Sequence, residues 1–131
     1  GEDYYYNCQV FKYASIYYAE EGVYHYTLST TSLSRGDVAG HKIWERFNSA
    51  SKIFDCLGPD DVKLANYIFT TFGLIGTLRA YSSRKWILYI IREIDVEYIK
   101  KLKFSAIWSS SCNIKAKILS TLVLCSMMVI K

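Results

Sequence analysis

The chain has 131 residues, 51% of them hydrophobic, with twelve Tyr, six Phe and three Trp but a single Pro. This length suits one globular domain, and the aromatic content excludes an intrinsically disordered chain. The net charge of +4 is divided unevenly: residues 1–75 hold six Lys and Arg against nine Asp and Glu, whereas residues 76–131 hold ten against three. A basic half of this kind is typical of nucleic-acid or anionic-surface binding, and equally of an ordinary solvated face.

The first third of the chain is predicted to hold one short helix between two strands. The Tyr-rich residues 4–9 predict a strand, and residues 10–21 predict a helix that ends at Gly22. Residues 23–31 alternate between polar and apolar side chains, which favours a second strand, and residues 34–37 follow as a turn.

Strands are predicted to dominate the rest of the chain. Residues 41–47 fit either a helix or a strand, residues 48–61 are loop-like around Gly58-Pro59-Asp60, and residues 95–103 fit a loop or a helical turn. The predicted strands are β-branched or aromatic runs over residues 64–72, 74–81, 86–94, 104–108 and 114–124. We therefore predict one domain over residues 1–131 with an α+β fold, in which one short helix packs on a twisted antiparallel β-sheet.

Neither end of the chain predicts a membrane span. The apolar run over residues 116–130 contains Lys117 and three hydroxyl residues, and its length of about fifteen residues falls short of the roughly twenty that a spanning helix needs. We interpret this run as a buried strand or helix. The chain begins with Gly1 and not with Met, which fits the removal of a secretion signal.

The four cysteines are Cys8, Cys56, Cys112 and Cys125, and they allow three fully paired arrangements that spacing alone does not separate. They contain no C-x-x-C pair, so we predict no metal site. Cys8 and Cys112 both lie beside polar, turn-like sequence, which favours a disulfide between them, whereas Cys125 in its apolar run resembles a buried thiol. Such a disulfide would close a loop of about 105 residues and contribute on the order of 4–5 kcal/mol.

The sequence does not contain an obvious catalytic set. Cleavage of RNA through a cyclic phosphate needs a general base, a general acid and a cation. The two histidines are His25 and His41, and neither lies within residues 86–131, where the late strands are predicted. A site built from His25, Glu45 and Arg79 would require the fold to bring them together. We therefore predict no catalytic residue and no cofactor.

A groove without catalytic groups can still bind RNA, because aromatic rings stack on bases while Lys and Arg meet phosphates. The candidate RNA-contact residues are Tyr81, Arg84, Lys85, Lys100, Lys101 and Lys103. The same residues would equally form a turn, a core strand and a solvated face.

Several short motifs carry a resemblance to a known family. They are the Tyr6-x-Cys8 pair near the N-terminus and the apolar residues Phe11, Ile16 and Ala19 of the predicted helix that follows. They also include the late Cys112 and the predicted closing strands over residues 86–91, 104–108 and 112–118. In these features the chain resembles the ribonuclease-like secreted effectors of powdery mildew fungi.

This resemblance implies a fold similar to small fungal guanyl-preferring ribonucleases, without their catalytic set, and hence a pseudoenzyme. It also implies a secreted virulence effector that is delivered into the cytoplasm of host plant cells and binds host proteins there. Some members are avirulence determinants recognised by nucleotide-binding leucine-rich-repeat immune receptors. The alternative is an active or RNA-binding secreted ribonuclease, and a third hypothesis is a secreted binding module that is not an effector. No membrane partner is expected.

Overall fold

The structure is a computed structural model that describes residues 6–7, 9–10 and 39–131. Within residues 39–131 the chain forms six helices and no β-strand, so the predicted α+β fold with a ribonuclease-like sheet is wrong for this part of the chain. Residues 6, 7 and 9, predicted to belong to a strand, are helical. The predicted strand over residues 23–31 and all but the first residue of the predicted helix over residues 10–21 lie outside the described residues.

The first described long element is helix α1, Ala39–Leu57. Ile43, Phe47, Ala50 and Ile53 recur every three or four residues and are buried, as expected for one face of an amphipathic helix. Most of the predicted loop over residues 48–61 therefore belongs to α1. The helix is followed by Gly58, where a Cβ atom would lie 2.8 Å from the Phe54 carbonyl oxygen, so glycine is the residue that fits.

Helix α2 is one continuous helix that changes type twice along its length. It is α-helical over Val62–Ile68, π-helical over Phe69–Ile75 and α-helical again over Gly76–Ala80. It begins at Asp61, whose carboxylate accepts hydrogen bonds of 3.0 Å from the amides of Lys63 and Leu64. The two strands predicted over residues 64–72 and 74–81 are both parts of this helix, which is buried along most of its π-helical segment.

Four further helices complete the described domain: α3 over Arg84–Glu93, α4 over Val96–Lys101, α5 over Phe104–Ser109 and α6 over Ile114–Ile130. The links between them are only two to four residues long, and an extended residue precedes each of these helices. Before α6 this residue is Asn113, whose side chain caps the helix by accepting a hydrogen bond from the Ala116 amide. These helices replace the remaining predicted strands. None of the helices within residues 39–131 is long and apolar enough to cross a membrane.

The core lies where α2 packs between α1 and the later helices. Gly73 in the π-helical segment lies directly against α1, since a Cβ atom on it would approach the Ala50 Cβ to 3.3 Å. Phe47 and Phe69 meet edge to face at 6.2 Å, and the ring of Tyr98 lies about 6 Å from both. Helix α6 closes the opposite side against α3 with Val123, Leu124 and Met127.

Candidate functional site

The described residues do not assemble the acid–base set that RNA cleavage would need. His41 and Glu45 pair one turn apart on α1, with 3.3 Å between Nδ1 and Oε1, but both side chains are exposed to solvent. His25 lies outside the described residues. Within residues 39–131 no group of three or more His, Cys, Asp or Glu side chains is arranged to hold a metal ion. The absence of catalysis stays a prediction, because His25 has no described position.

The predicted RNA-contact residues fall into two groups along the fold. Arg84 and Lys85 begin α3, the helix that lies against the first turn of α1 where Tyr89 meets Gly40. Lys101 instead reaches Ser51 and Asp55 in the second half of α1. Since a helix rises 1.5 Å per residue, these two points on α1 are separated by about 17–22 Å.

The first group is an aromatic–cation stack at the start of α3. The Lys85 ammonium lies 4.7 Å above the ring of Trp86, and that ring meets Tyr81 edge to face at 6.4 Å and Tyr89 at 5.7 Å. Arg84 is exposed beside this stack. Lys85 occupies one face of the Trp86 ring, so that face is not open to a nucleic-acid base, because stacking needs a free face.

The second group is held mainly by internal contacts. Lys101 is only 21% exposed, and its ammonium lies 2.7 Å from Ser51 Oγ, 3.2 Å from Asp55 Oδ1 and 4.8 Å from the centre of the Phe54 ring. Lys100 pairs with Glu97 at 2.8 Å, which lowers the pKa of that carboxyl. Lys103 donates its ammonium to the Lys100 carbonyl. Lys101 therefore holds α4 against α1, whereas Lys100 and Lys103 make only local contacts.

Tyr98 is the aromatic residue of α4 that anchors this helix in the core. Its hydroxyl donates to the side-chain carbonyl of Asn48 on α1. Burial raises the pKa of Tyr98, and the carboxylates of Asp95 and Asp55 raise it further. Sequence analysis gave no role to Tyr98 because residues 95–103 were expected to form a loop or a single helical turn.

The described residues contain no disulfide: Cys56 and Cys112 are half-buried and Cys125 is exposed. Cys112 lies in the link before α6, against a groove that also contains Arg79. Cys8 lies outside the described residues, so the predicted Cys8–Cys112 pairing is not tested here and stays a prediction. Cys125 does not occupy the buried position that its apolar neighbours indicated.

A row of exposed apolar residues of the described domain runs along the outside of α6. Ile118, Leu122, Cys125 and Val129 form a row that we call the α6 stripe, with exposures of 48% for Ile118, 60% for Leu122 and 86% for Val129. The opposite side of the same helix is in the core, so α6 carries apolar side chains on two opposite faces. An amphipathic surface helix normally turns one apolar face to the core and a polar face to solvent, so the second apolar face is unusual. Sequence analysis missed this surface, although the spacing of four, three and four residues would have identified it.

The charged residues of helix α6 itself all have one sign. Helix α6 contains Lys115 and Lys117, Lys131 follows its last turn, and no Asp or Glu occurs from residue 98 to the end of the chain. Lys117 donates to the Trp108 carbonyl at 2.8 Å, which fixes this cation beside α5. Helix α6 therefore contributes cations and no carboxylate to the surroundings of the stripe.

Comparison with known proteins identifies no relative of this chain. No family model, curated protein or solved structure matches this chain. The closing strands of the resemblance, over residues 86–91, 104–108 and 112–118, are helical or lie in a helix–helix link. Function is therefore inferred from the surfaces of the described domain.

Proposed function

We propose that this protein is a binding module that associates with a partner protein through the α6 stripe. The observation that carries the proposal is the exposure of a long apolar row on a helix whose other side already fills the core. Leaving three large apolar side chains and Cys125 in water is unfavourable, and a partner that covers them gains the free energy of their burial.

The partner that fits this surface is an acidic amphipathic helix. The four-three-four spacing of the α6 stripe is the spacing of a coiled-coil seam, which favours a helix as the occupant over a lipid surface. The lysines at its border would repel a second copy of α6, because the same cations would meet across the contact. An acidic helix would instead place carboxylates opposite Lys115, which lies one turn before Ile118 on the same side of α6.

A synthetic peptide tests this proposal directly. The probe is a fluorescein-labelled helical peptide with Leu at the seam positions and Glu at the flanking positions, titrated with the full chain and followed by fluorescence anisotropy. We expect weak, micromolar-range binding that weakens with added salt, since the seam is short and its border is charged. A peptide with Lys in place of Glu is expected not to bind.

Two substitutions distinguish binding of the peptide at the α6 stripe from nonspecific hydrophobic binding. Leu122→Glu places a carboxylate in the middle of the stripe and is expected to abolish peptide binding. Val62→Glu is the matched control, because Val62 is also an exposed apolar residue but lies at the start of α2. Equal binding by the two variants, or binding of the chain to anionic vesicles but not to the peptide, would exclude the proposed partner.

The cellular setting of this binding is a separate proposal. Secretion, delivery into the plant cytoplasm and recognition by an immune receptor are inferred from the family resemblance, and the lack of catalysis is inferred both from it and from the acid–base residues that the sequence does not offer. Expression of the chain inside plant cells tests them: an effector that acts through the α6 stripe gives a response that Leu122→Glu removes. No response to the unsubstituted chain would favour the secreted binding module that is not an effector.

The alternative of an active or RNA-binding ribonuclease is less well supported by the described residues. Its candidate contacts lie in two separate places, and Lys101 is already bound to Asp55. Single-stranded RNA is expected to bind negligibly near physiological salt. Cleavage of RNA by the chain that His25→Ala abolishes would instead favour the ribonuclease.

A further inference from the structure

A groove between the first half of α2 and helix α5 is another surface of the described domain that suits a partner. Its volume is about 560 Å³. The lining residues that carry the argument are Lys63, Leu64 and Tyr67 of α2, Lys103 in the link before α5, and Ala106 of α5. None of them belongs to the α6 stripe. We propose that this groove binds an extended acidic segment of a partner protein, in which one apolar residue lies between two carboxylates.

The position of the groove is fixed by the packing of α5 and its preceding link on α2. Lys63, Tyr67 and Thr70 are separated by four and three residues, so they lie along one side of α2. At the Thr70 end, the Lys103 amide donates to Thr70 Oγ1 at 3.1 Å, and Thr70 is fully buried. Towards the start of α2, Leu64 is 44% exposed and Tyr67 is 36% exposed. The groove therefore keeps apolar surface in contact with water along two turns of α2.

The charge of the groove is positive. Lys63 and Lys103 are both exposed, and the described residues that line the groove include no Asp or Glu. Neither lysine forms an ion pair within residues 39–131. Lys103 donates to the Lys100 carbonyl at 3.1 Å, which leaves two of the three N–H donors of its ammonium for a ligand. The carboxylate nearest to Lys63 along the chain, that of Asp61, accepts hydrogen bonds at the start of α2. An anionic partner is therefore complementary to this groove.

The dimensions of the groove favour an extended chain over a helix. From Lys63 to Thr70, α2 rises about 10 Å, which about three residues of an extended chain span. A helix of about 10 Å diameter would occupy roughly 800 Å³ over this length, more than the 560 Å³ of the groove. Successive side chains of an extended chain point to opposite sides. An apolar residue that contacts Leu64 and Tyr67 therefore directs the carboxylates on either side of it towards the rim, where the two lysines are exposed.

Fluorescence anisotropy with the full chain and a short labelled peptide tests this proposal. The peptide contains Glu-Leu-Glu between Pro residues, which prevent it from forming a helix. We expect weak binding that weakens further with added salt, because the contact is small and charged. A matched peptide with Gln-Leu-Gln is expected to bind about tenfold more weakly, and a peptide with Lys-Leu-Lys is expected not to bind.

Three substitutions locate the bound peptide. Lys63→Glu replaces an attractive charge in the groove by a repulsive one and is expected to weaken binding of the Glu-Leu-Glu peptide about tenfold. Lys52→Glu is the matched control, because Lys52 is also exposed but lies on α1 and does not line the groove. Leu122→Glu is expected to leave binding of this peptide unchanged, which distinguishes the groove from the α6 stripe. Thermal unfolding followed by circular dichroism checks that each variant is folded.

Four results would overturn the proposal. They are no binding of the Glu-Leu-Glu peptide to the unsubstituted chain, equal affinities of the Lys63→Glu and Lys52→Glu variants, and loss of binding in Leu122→Glu, which would place the peptide on the α6 stripe. The fourth is displacement of the peptide by single-stranded RNA near physiological salt, which would identify a nucleic acid as the ligand. We expect no displacement, because one aromatic ring and two cations are few for a strand that needs successive stacking and phosphate contacts.

Discussion

Lys101 is the one lysine of α4 that is expected to matter for stability, and its replacement by Met tests how that helix is held. Met keeps the apolar stem of the side chain but removes the ammonium. The change breaks the contacts with Ser51 and Asp55 and the cation–π contact with Phe54. The neighbouring substitution Lys100→Met is the matched control, because the pair of Lys100 with Glu97 is exposed.

The expected loss for Lys101→Met follows from these three contacts. A hydrogen bond from a charged group contributes about 1.5–3 kcal/mol when it is shielded, a cation–π contact about 0.5–1 kcal/mol, and an exposed ion pair less than about 1 kcal/mol. Asp55 is 67% exposed and is rehydrated once its partner is lost, so no buried charge is left behind. We therefore expect a loss of about 2 kcal/mol, which corresponds to a fall in melting temperature of roughly 8 °C.

Thermal unfolding followed by circular dichroism, with urea unfolding at 25 °C as the second measurement, checks this difference. Lys100→Met is expected to change the melting temperature by no more than about 1 °C, since exposed ion pairs contribute little. If the two substitutions have equal effects, the ammonium of Lys101 does not hold α4 against α1 and the reasoning is refuted.

Three further predictions concern the core, its pH dependence and the disulfide. The pKa of Tyr98 is raised in the folded state, so the stabilisation that Tyr98 contributes is complete below the unfolded pKa of about 10 and is lost as the pH rises through the folded pKa. The difference in the free energy of unfolding between the unsubstituted chain and Tyr98→Phe should therefore shrink between about pH 9 and 11, as measured by urea unfolding. Gly73→Val should destabilise by about 1–3 kcal/mol in the same assay, because Ala50 on α1 cannot move away from the added atoms, and an unchanged midpoint would contradict the close packing. Non-reducing peptide mapping should find Cys8 linked to Cys112, and a peptide that links Cys8 to Cys56 would disprove this pairing.

Local sequence signals predicted some ends of the helices but not their type. Gly58 was assigned to a loop and does follow α1, and the Ser-rich turn at residues 109–113 does separate two elements. The apolar residues between such signals were wrongly assigned to strands, because short runs rich in Ile, Tyr and Phe fit a buried helix as well as a strand. Ile87, Ile90, Ile91 and Ile94 have the spacing of a helix face, and this periodicity was the better guide.

The candidate surfaces were harder to predict than the helices. Lys100 and Lys101 are neighbours in sequence, yet Lys100 is in solvent and Lys101 is packed over aromatic rings, and this difference depends on how α4 docks on α1. The buried hydroxyl of Ser120 likewise has no hydrogen-bond partner among the described residues, whereas the hydroxyls of Thr121 and Ser126 on the same helix donate to carbonyls of α6, and residue type alone does not predict this difference. The α6 stripe was missed as well, although the four-three-four spacing of its residues is visible in the sequence.

The most direct test of binding through the α6 stripe is the reactivity of Cys125, which is exposed in the middle of it. N-ethylmaleimide is added to the full reduced chain at neutral pH, with and without the acidic peptide, and the modified cysteines are quantified by peptide mass spectrometry. We expect Cys125 to react much faster than the half-buried Cys56 and Cys112, and to be protected when the peptide is present. Slow reaction of Cys125 in the free chain would mean that the α6 stripe is already covered by another part of this chain or by a second copy. Fast reaction that the peptide does not slow would mean that the peptide binds elsewhere, and either result would contradict the proposed function.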